Sequence, residues 1–442
     1  TVLSVLSPLE ELSYADQRIA AELWIQVFSQ SWYCLSEESK IALVRPLIAF
    51  LSQHYHRKQL KHGGGFGYRR NIVQVVMKSI LKCRPMPYLP PELLKFLGKS
   101  YNAWHTAIAI CEEQLMPRKG LEGMDLEQWG VALESLYKDL NEHDYGRGVQ
   151  YLLSVCSETH ASLDLQANGQ WKQAQEVLVN AMSEHSHRGV SVYESNKWQT
   201  DWVECCRQLA QWDVLKSYCA AADEPVVLLE CAWKTPDWSL VKSLFKTPSV
   251  ASKIEDTLLP DIKTSMLKVY SAIQEWRVDE AEVLYKEVGQ VMLRKWQSLP
   301  STTGIAHIPL LQTSQNFVEL QESIVIMNKM RKSKRTYSSS DTSMPDLTTH
   351  LHVWKERLPN HWEDATVWTD VLSWRLHMFD VIKSEDTIRG GSSQRNAKNN
   401  QKHKVHDRPW TLLQLCQVAQ RQKLEDLSLV CLDHLAQISK ME

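Results

Sequence analysis

AQWD at Ala210–Asp213 and TPDW at Thr235–Trp238 each set a helix-breaking turn against a tryptophan. The arrangement recurs through Leu140–Tyr285, as NEHDYGR (Asn141–Arg147), ANGQ (Ala167–Gln170, then Trp171) and EWRVD (Glu275–Asp279). Helical periodicity flanks these turns. Trp171, Ala174, Leu178, Ala181 and Met182 form one i, i+3, i+4 stripe, and Ala281, Leu284, Tyr285, Val288 and Met292 form another. A lone hairpin of this kind cannot bury its apolar face, so neighbours must stack. The turns fall near residues 144, 169, 212, 238 and 278, at intervals that alternate between short and long. An ideal tetratricopeptide array would hold about 34 residues per unit. The expected fold is therefore all-α, an α-solenoid of degenerate tetratricopeptide-like helical hairpins. No stretch alternates as a strand would.

Outward from that centre, Asp16–Cys34 is a predicted helix, with Ala20, Leu23, Trp24, Val27 and Phe28 as its buried stripe. Ser36 suits the cap of a helix that Pro46 is expected to kink. His54–Arg70 is a glycine-rich loop, and Cys83–Pro91, with four prolines, is non-helical. Glu92–Met116 gives one or two helices, and Pro117–Asp125 is a break. Val149, Leu152, Leu153 and Cys156 keep helical spacing, and Glu184–Asn196 is an insertion. Ser298–Pro309 is a loop before a strong helix at Leu310–Met330. Arg331–Pro345 and Ser384–Arg408 hold almost no apolar residues, so both are expected to be mobile loops. Between them Leu347–Val381 is helical and rich in tryptophan, and Trp410–Ile438 closes as a helix pair. The expected division is 1–125, 126–297 and 298–442, with disordered loops near 331–345 and 384–408.

The 442 residues carry 50 basic and 52 acidic side chains, a net charge of −2. That balance gives no global field for nucleic acid, and no direct specific nucleic-acid binding is expected. The ten cysteines lack CxxC spacing and read as buried, reduced thiols rather than a disulfide framework. No run approaches the roughly eighteen apolar residues of a membrane span. The chain begins at Thr1 rather than Met and is expected to be an excerpt of a larger protein.

No catalytic constellation stands out: GxSxG, HExxH, the P-loop and the kinase motifs are missing. HGGGFG at His62–Gly67 lacks the preceding strand and following Lys-Ser/Thr of a phosphate cradle, and reads as a linker. The histidine pairs 54/56, 185/187 and 403/406 have no second half of a zinc site nearby. The acid pairs Glu112/Glu113 and Glu363/Asp364 read as solvated helix faces. No catalytic residue, metal or cofactor is expected. Two basic runs remain, Arg395–Lys404 and RKSKR. The latter's Arg331, Lys332, Lys334 and Arg335 are a candidate nuclear-import or partner patch, with a solvated loop as the first reading. The tryptophans read chiefly as core, with Trp171, Trp212 and Trp238 locking one hairpin on the next.

Several segments, in order, resemble one family. They are LSYADQRIAAELWIQVF (Leu12–Phe28), KFLGKSYNAW (Lys95–Trp104), WQTDWVECCRQLAQW (Trp198–Trp212), LLECAWKTPDW (Leu228–Trp238), PLLQTSQNFVELQE (Pro309–Glu322) and WKERLP (Trp354–Pro359). Together they look like the FAT region of the Tra-type, transcription-associated branch of the phosphatidylinositol-3-kinase-related family, starting at Leu12. The resemblance implies a helical-repeat region between a HEAT array and a kinase-like domain of the same chain that lacks catalytic residues. It further implies a non-enzymatic, nuclear scaffold. Its partners would be subunits of histone acetyltransferase complexes of the SAGA and MYST-acetyltransferase types, together with transcriptional activation domains. Two other readings compete: the FAT region of an active kinase of that family, clamping its catalytic domain, and a stand-alone tetratricopeptide adaptor for peptide C-termini.

Overall fold

The computed structural model describes residues 2–53, 71–115, 124–184, 190–235, 237–247, 262–336, 348–360, 363–390 and 407–441. Its helices are α1 (Val2–Ala15), α2 (Gln17–Cys34), α3 (Glu37–Leu51), α4 (Ile72–Lys82), α5 (Pro91–Tyr101), α6 (Trp104–Leu115) and α7 (Met124–Asp139). Next come α8 (His143–Leu153), α9 (Ser157–Ala167), α10 (Trp171–Glu184), α11 (Val192–Gln208), α12 (Trp212–Ala222), α13 (Pro225–Lys234) and α14 (Trp238–Lys246). The last are α15 (Ile262–Gln274), α16 (Val278–Ser298), α17 (Ile308–Thr336), α18 (Thr348–Glu356), α19 (Ala365–Gly390), α20 (Asp407–Arg421) and α21 (Glu425–Met441). A 3-10 turn at Ile305–His307 leads into α17. No strand occurs among the described residues. The class is all-α, as expected.

One device makes the turns. Asn102, Asn141, Gly169, Ala210, Asp223, Trp276 and Lys423 each hold φ between 53° and 70° just past a helix end. The N–H of the next residue then donates to the carbonyl five positions back: Ala103 to Gly98, Glu142 to Tyr137, Gln170 to Leu165, Gln211 to Cys206, Glu224 to Cys219, Arg277 to Ala272 and Leu424 to Ala419, at 2.9–3.1 Å. This left-handed C-cap satisfies carbonyls that a helix end leaves bare and reverses the chain within two residues. Asp237 makes the same bond to Ala232 at 2.9 Å. Four of the five turns read from the sequence therefore share this left-handed cap, and of those four only ANGQ places glycine at the left-handed position.

By packing, the chain forms two compact units with boundaries at 155/156, 294/295 and 309/310. The first unit comprises 1–155 and 295–309. Its core joins Val73, Met77 and Ile80 of α4 to Leu94, Leu97, Trp104, Ala107, Trp129 and Leu136. Ser298 and Leu299 belong here because Trp104 Nε1 donates to the Ser298 carbonyl at 2.7 Å and Asn102 Nδ2 to that of Leu299 at 2.8 Å.

The second unit comprises 156–294 and 310–442. Its core passes from hairpin to hairpin. Ala174, Leu178, Ala181, Trp198 and Cys205 form one cluster, and Cys206, Leu215, Cys219 and Cys231 the next. A large cluster from Leu229 to Ile382 follows, and Trp368, Leu372, Leu415, Cys416 and Cys431 close the series. This relay is the local signature of an α-solenoid. One element breaks the sequential order. Helix α19 returns over α13 and α15, where Trp374 stacks on Tyr270 at 4.0 Å and His377 lies 3.2 Å from the Trp233 carbonyl.

Several expectations need correction. Residues 331–336 continue α17 rather than forming a loop. Lys and Arg are good helix formers, their charge suits a helix C-terminus, and Met330 anchors the turn before them in the core. Residues 384–390 likewise prolong α19 up to the Gly390–Gly391 pair. Helix α2 turns Ala21, Ile25, Ser29 and Trp32 inward, leaving Trp24 and Val27 exposed. Helix α8 ends at Leu153, so Cys156 starts a new helix. Pro309 sits in the first turn of α17 rather than in the loop before it, at a position where a missing N–H costs nothing. Helix α1 had no counterpart in the sequence reading. The loop at 54–70, the break at 117–123 and residues 337–345 and 391–406 lie outside the described residues.

Candidate docking surface

Several buried polar side chains hold helices together. Glu194, 2% exposed, reaches from α11 to the start of α9. Its carboxylate accepts from the Cys156 N–H at 2.9 Å and the Thr159 hydroxyl at 3.0 Å, and Thr159 in turn accepts from Trp198 Nε1. An anion there suits the unpaired amides of a helix N-terminus. Arg375, buried on α19, grips Glu319 of α17 with two bonds at 3.0 and 2.7 Å. It also donates to the Arg357 carbonyl, and Glu322 accepts from Arg357 and Trp354. Lys234 of α13 meets Asp370 of α19, which Lys263 also approaches at 3.2 Å. Burial alone would raise the Asp370 carboxyl, but the two ammonium groups outweigh it and hold it below the usual range. These are ties between helices.

All ten cysteines are free thiols and eight are buried. Burial pushes Cys111, Cys205 and Cys231 up to about 12 and Cys83 and Cys206 up to about 11, so each stays protonated at neutral pH. Among the described residues no cluster of His, Cys, Asp and Glu could hold a metal, and no helix is long and apolar enough to cross a membrane. Glu112 accepts from the Tyr137 hydroxyl and Glu113 pairs with Arg84 at 2.9 Å, so that acid pair is bound up locally. The HGGGFG run and the three histidine pairs lie outside the described residues.

Of the basic patch, Arg331 is committed to Asp279 of α16 at 2.8 Å. That hydrogen bond raises its pKa further. Lys332 is exposed, and Lys334 and Arg335 lie one turn on in the same helix. The four positions therefore follow one another along a helical backbone, with Arg331 paired to Asp279.

An open groove runs across α10, α11 and α12, with a volume of about 540 Å³. Val179 and Val214, 47% and 52% exposed, line it together with half-buried Trp202. Trp202 is steadied by Tyr218, with ring centroids 4.8 Å apart. Gln175 donates to Gln211 at 2.9 Å, and these amides with Glu176 and Asn180 edge the groove. Trp212, which its place after a turn singles out in the sequence, is half-buried, whereas nothing in the turn pattern marks Trp202. The two valines were the available signal, since they interrupt the polar side of their helices.

Comparison with known proteins bears on both ends of the chain. A family model described as the FAT domain matches residues 226–441. A second, the Tra1 HEAT repeat ring region, matches residues 1–83, where the FAT region had been expected to open. The chain is 29% identical to the SAGA complex/NuA4 acetyltransferase complex subunit TRA1 of Saccharomyces cerevisiae, over 98% of its own length and 12% of that protein's. It is 30% identical to the subunit of the same description in Schizosaccharomyces pombe, over 99% of its length and 12% of the relative's. With the human transformation/transcription domain-associated protein it shares 26% identity over 98% of its length, again 12% of the relative.

Proposed function

The chain belongs to the Tra1 family and carries a FAT domain, and from that premise we propose that it is a non-catalytic scaffold segment of a transcription coactivator subunit. Its task is to receive transcriptional activators and to hold acetyltransferase-complex subunits of the SAGA and NuA4 kinds, which act in the nucleus. The observation that carries this reading is the extent of the likeness. It runs through 98–99% of the chain and both compact units, rather than through one motif that unrelated proteins share. The internal use of the buried polar groups supports it, since their bonds fix helix against helix and leave surface as the functional resource.

Activators dock in the groove over α10–α12, where an amphipathic helix lays an apolar edge between Val179 and Val214 and meets the amides of Gln175 and Gln211. The test is binding of fluorescent activation-domain peptides to the complete protein. Val179→Asp with Val214→Asp should weaken binding about tenfold or more, on the scale of losing two apolar contacts in an interface. Unchanged affinity, with peptides still bound elsewhere on the protein, removes the groove from the reading. If the complete protein binds neither the peptides nor acetyltransferase subunits, the scaffold reading fails.

A further inference from the structure

The groove over α10–α12 has a sign of charge as well as an apolar surface. No lysine or arginine lines it, and its one charged side chain is Glu176, exposed on α10. Bases on the neighbouring helices are already engaged. Lys197 pairs with Asp201 at 2.8 Å, Arg207 with Glu230 at 3.0 Å and Lys216 with Asp237 at 2.9 Å. By contrast Glu176, Glu184 at the end of α10 and Asp213 beside Val214 are exposed and enter no ion pair among the described residues. Against them stands Lys172, exposed one turn before Glu176 on α10 and outside the lining.

A helix laid along Val179, Trp202 and Val214 brings the flanks of its apolar edge up to Glu176. A carboxylate on that flank meets a like charge with no cation in the lining to offset it, whereas an ammonium or guanidinium finds an unpaired partner. Like charges juxtaposed at an interface weaken binding and opposite charges favour it, more strongly where water is partly excluded. We propose that the groove selects amphipathic activator helices of other proteins that carry lysine or arginine one turn from the apolar edge, and discriminates against acidic ones. The selection rests on the groove being a docking site for activators, as proposed above.

The experiment uses the complete protein and two fluorescent helical peptides that share one apolar edge, flanked by lysine in the first and by glutamate in the second. The lysine peptide should bind about two- to fivefold more tightly, the range of one exposed ion pair, and the margin should shrink as ionic strength rises. Glu176→Gln should weaken the lysine peptide by a similar factor without weakening the glutamate peptide. Equal binding of the two peptides, tighter binding of the glutamate peptide, or a lysine preference that survives Glu176→Gln overturns the proposal. Val179→Gln with Val214→Gln removes apolar contact without adding charge, and so separates this failure from failure of the docking reading. Where both peptides lose affinity in that variant, the outcomes above decide the charge preference alone. Where neither loses affinity, or neither peptide binds the complete protein at all, the docking reading falls and the charge preference falls with it.

Discussion

At Ala210 a residue with a Cβ holds φ 56°, a conformation that costs an L-residue about 1–2 kcal/mol and glycine almost nothing. Ala210→Gly should therefore stabilise the protein by about 1 kcal/mol in urea unfolding, the gain reduced by glycine's greater freedom in the unfolded chain. The turn itself was legible in AQWD, yet its left-handed residue was not, because alanine carries no sign of it. Arg375 and Glu319 were wholly illegible, since an Arg in a tryptophan-rich helix and a Glu on a polar one give no hint that they meet in the core. Arg375→Met leaves a buried carboxylate without its partner and should cost about 3–5 kcal/mol. Adding Glu319→Leu should restore most of that loss, and a double variant no more stable than the single would show that the pair is not the source of the cost.

Among the helices, periodicity was a good guide to existence and a poorer guide to orientation. The stripes of α10 and α16 point inward as read: Ala174, Leu178, Ala181, Ala281 and Val288 are buried. In α2 two apolar stripes run side by side, and the one the sequence favours is the one left open. The tryptophans after the turns show the same division. Trp104 is 2% exposed, but Trp171, Trp212 and Trp238 are half-buried, packing against the core from its edge. Trp171→Ala should accordingly cost about 2 kcal/mol, less than the roughly 3–5 kcal/mol of a fully buried aromatic. Trp374→Ala, at the centre of the largest cluster, should reach that upper range. Thermal unfolding of the two variants side by side checks the order, and equal costs would place Trp171 in the core after all.

For the molecule as a whole, carboxylates held below their ordinary range, Asp237 and Asp370 among them, should shape its response to acid. Asp237 accepts from the Ser239 hydroxyl, Lys216 and the Leu240 N–H, which hold it at about 2 against an ordinary 3.8. Asp370 is also depressed, by the two lysines that outweigh its burial. A folded-state pKa below the unfolded one gives stability that is complete above about pH 4 and is lost as pH falls toward 2. Unfolding midpoints should decline across that window, and Asp370→Asn should flatten the decline while lowering stability at neutral pH. What the sequence could not convey at this scale is the return of α19, because nothing local marks Asp370 as the partner of Lys234, 136 positions earlier. That return also orders events on the ribosome. Helices α13 to α15 are made long before α19, so Trp233, Tyr270 and the Lys234 ammonium must wait through more than a hundred residues of synthesis before their cover arrives. The nascent chain spends that interval with an unfinished apolar surface in its middle, and the cell's folding helpers have their clearest purchase on this protein there.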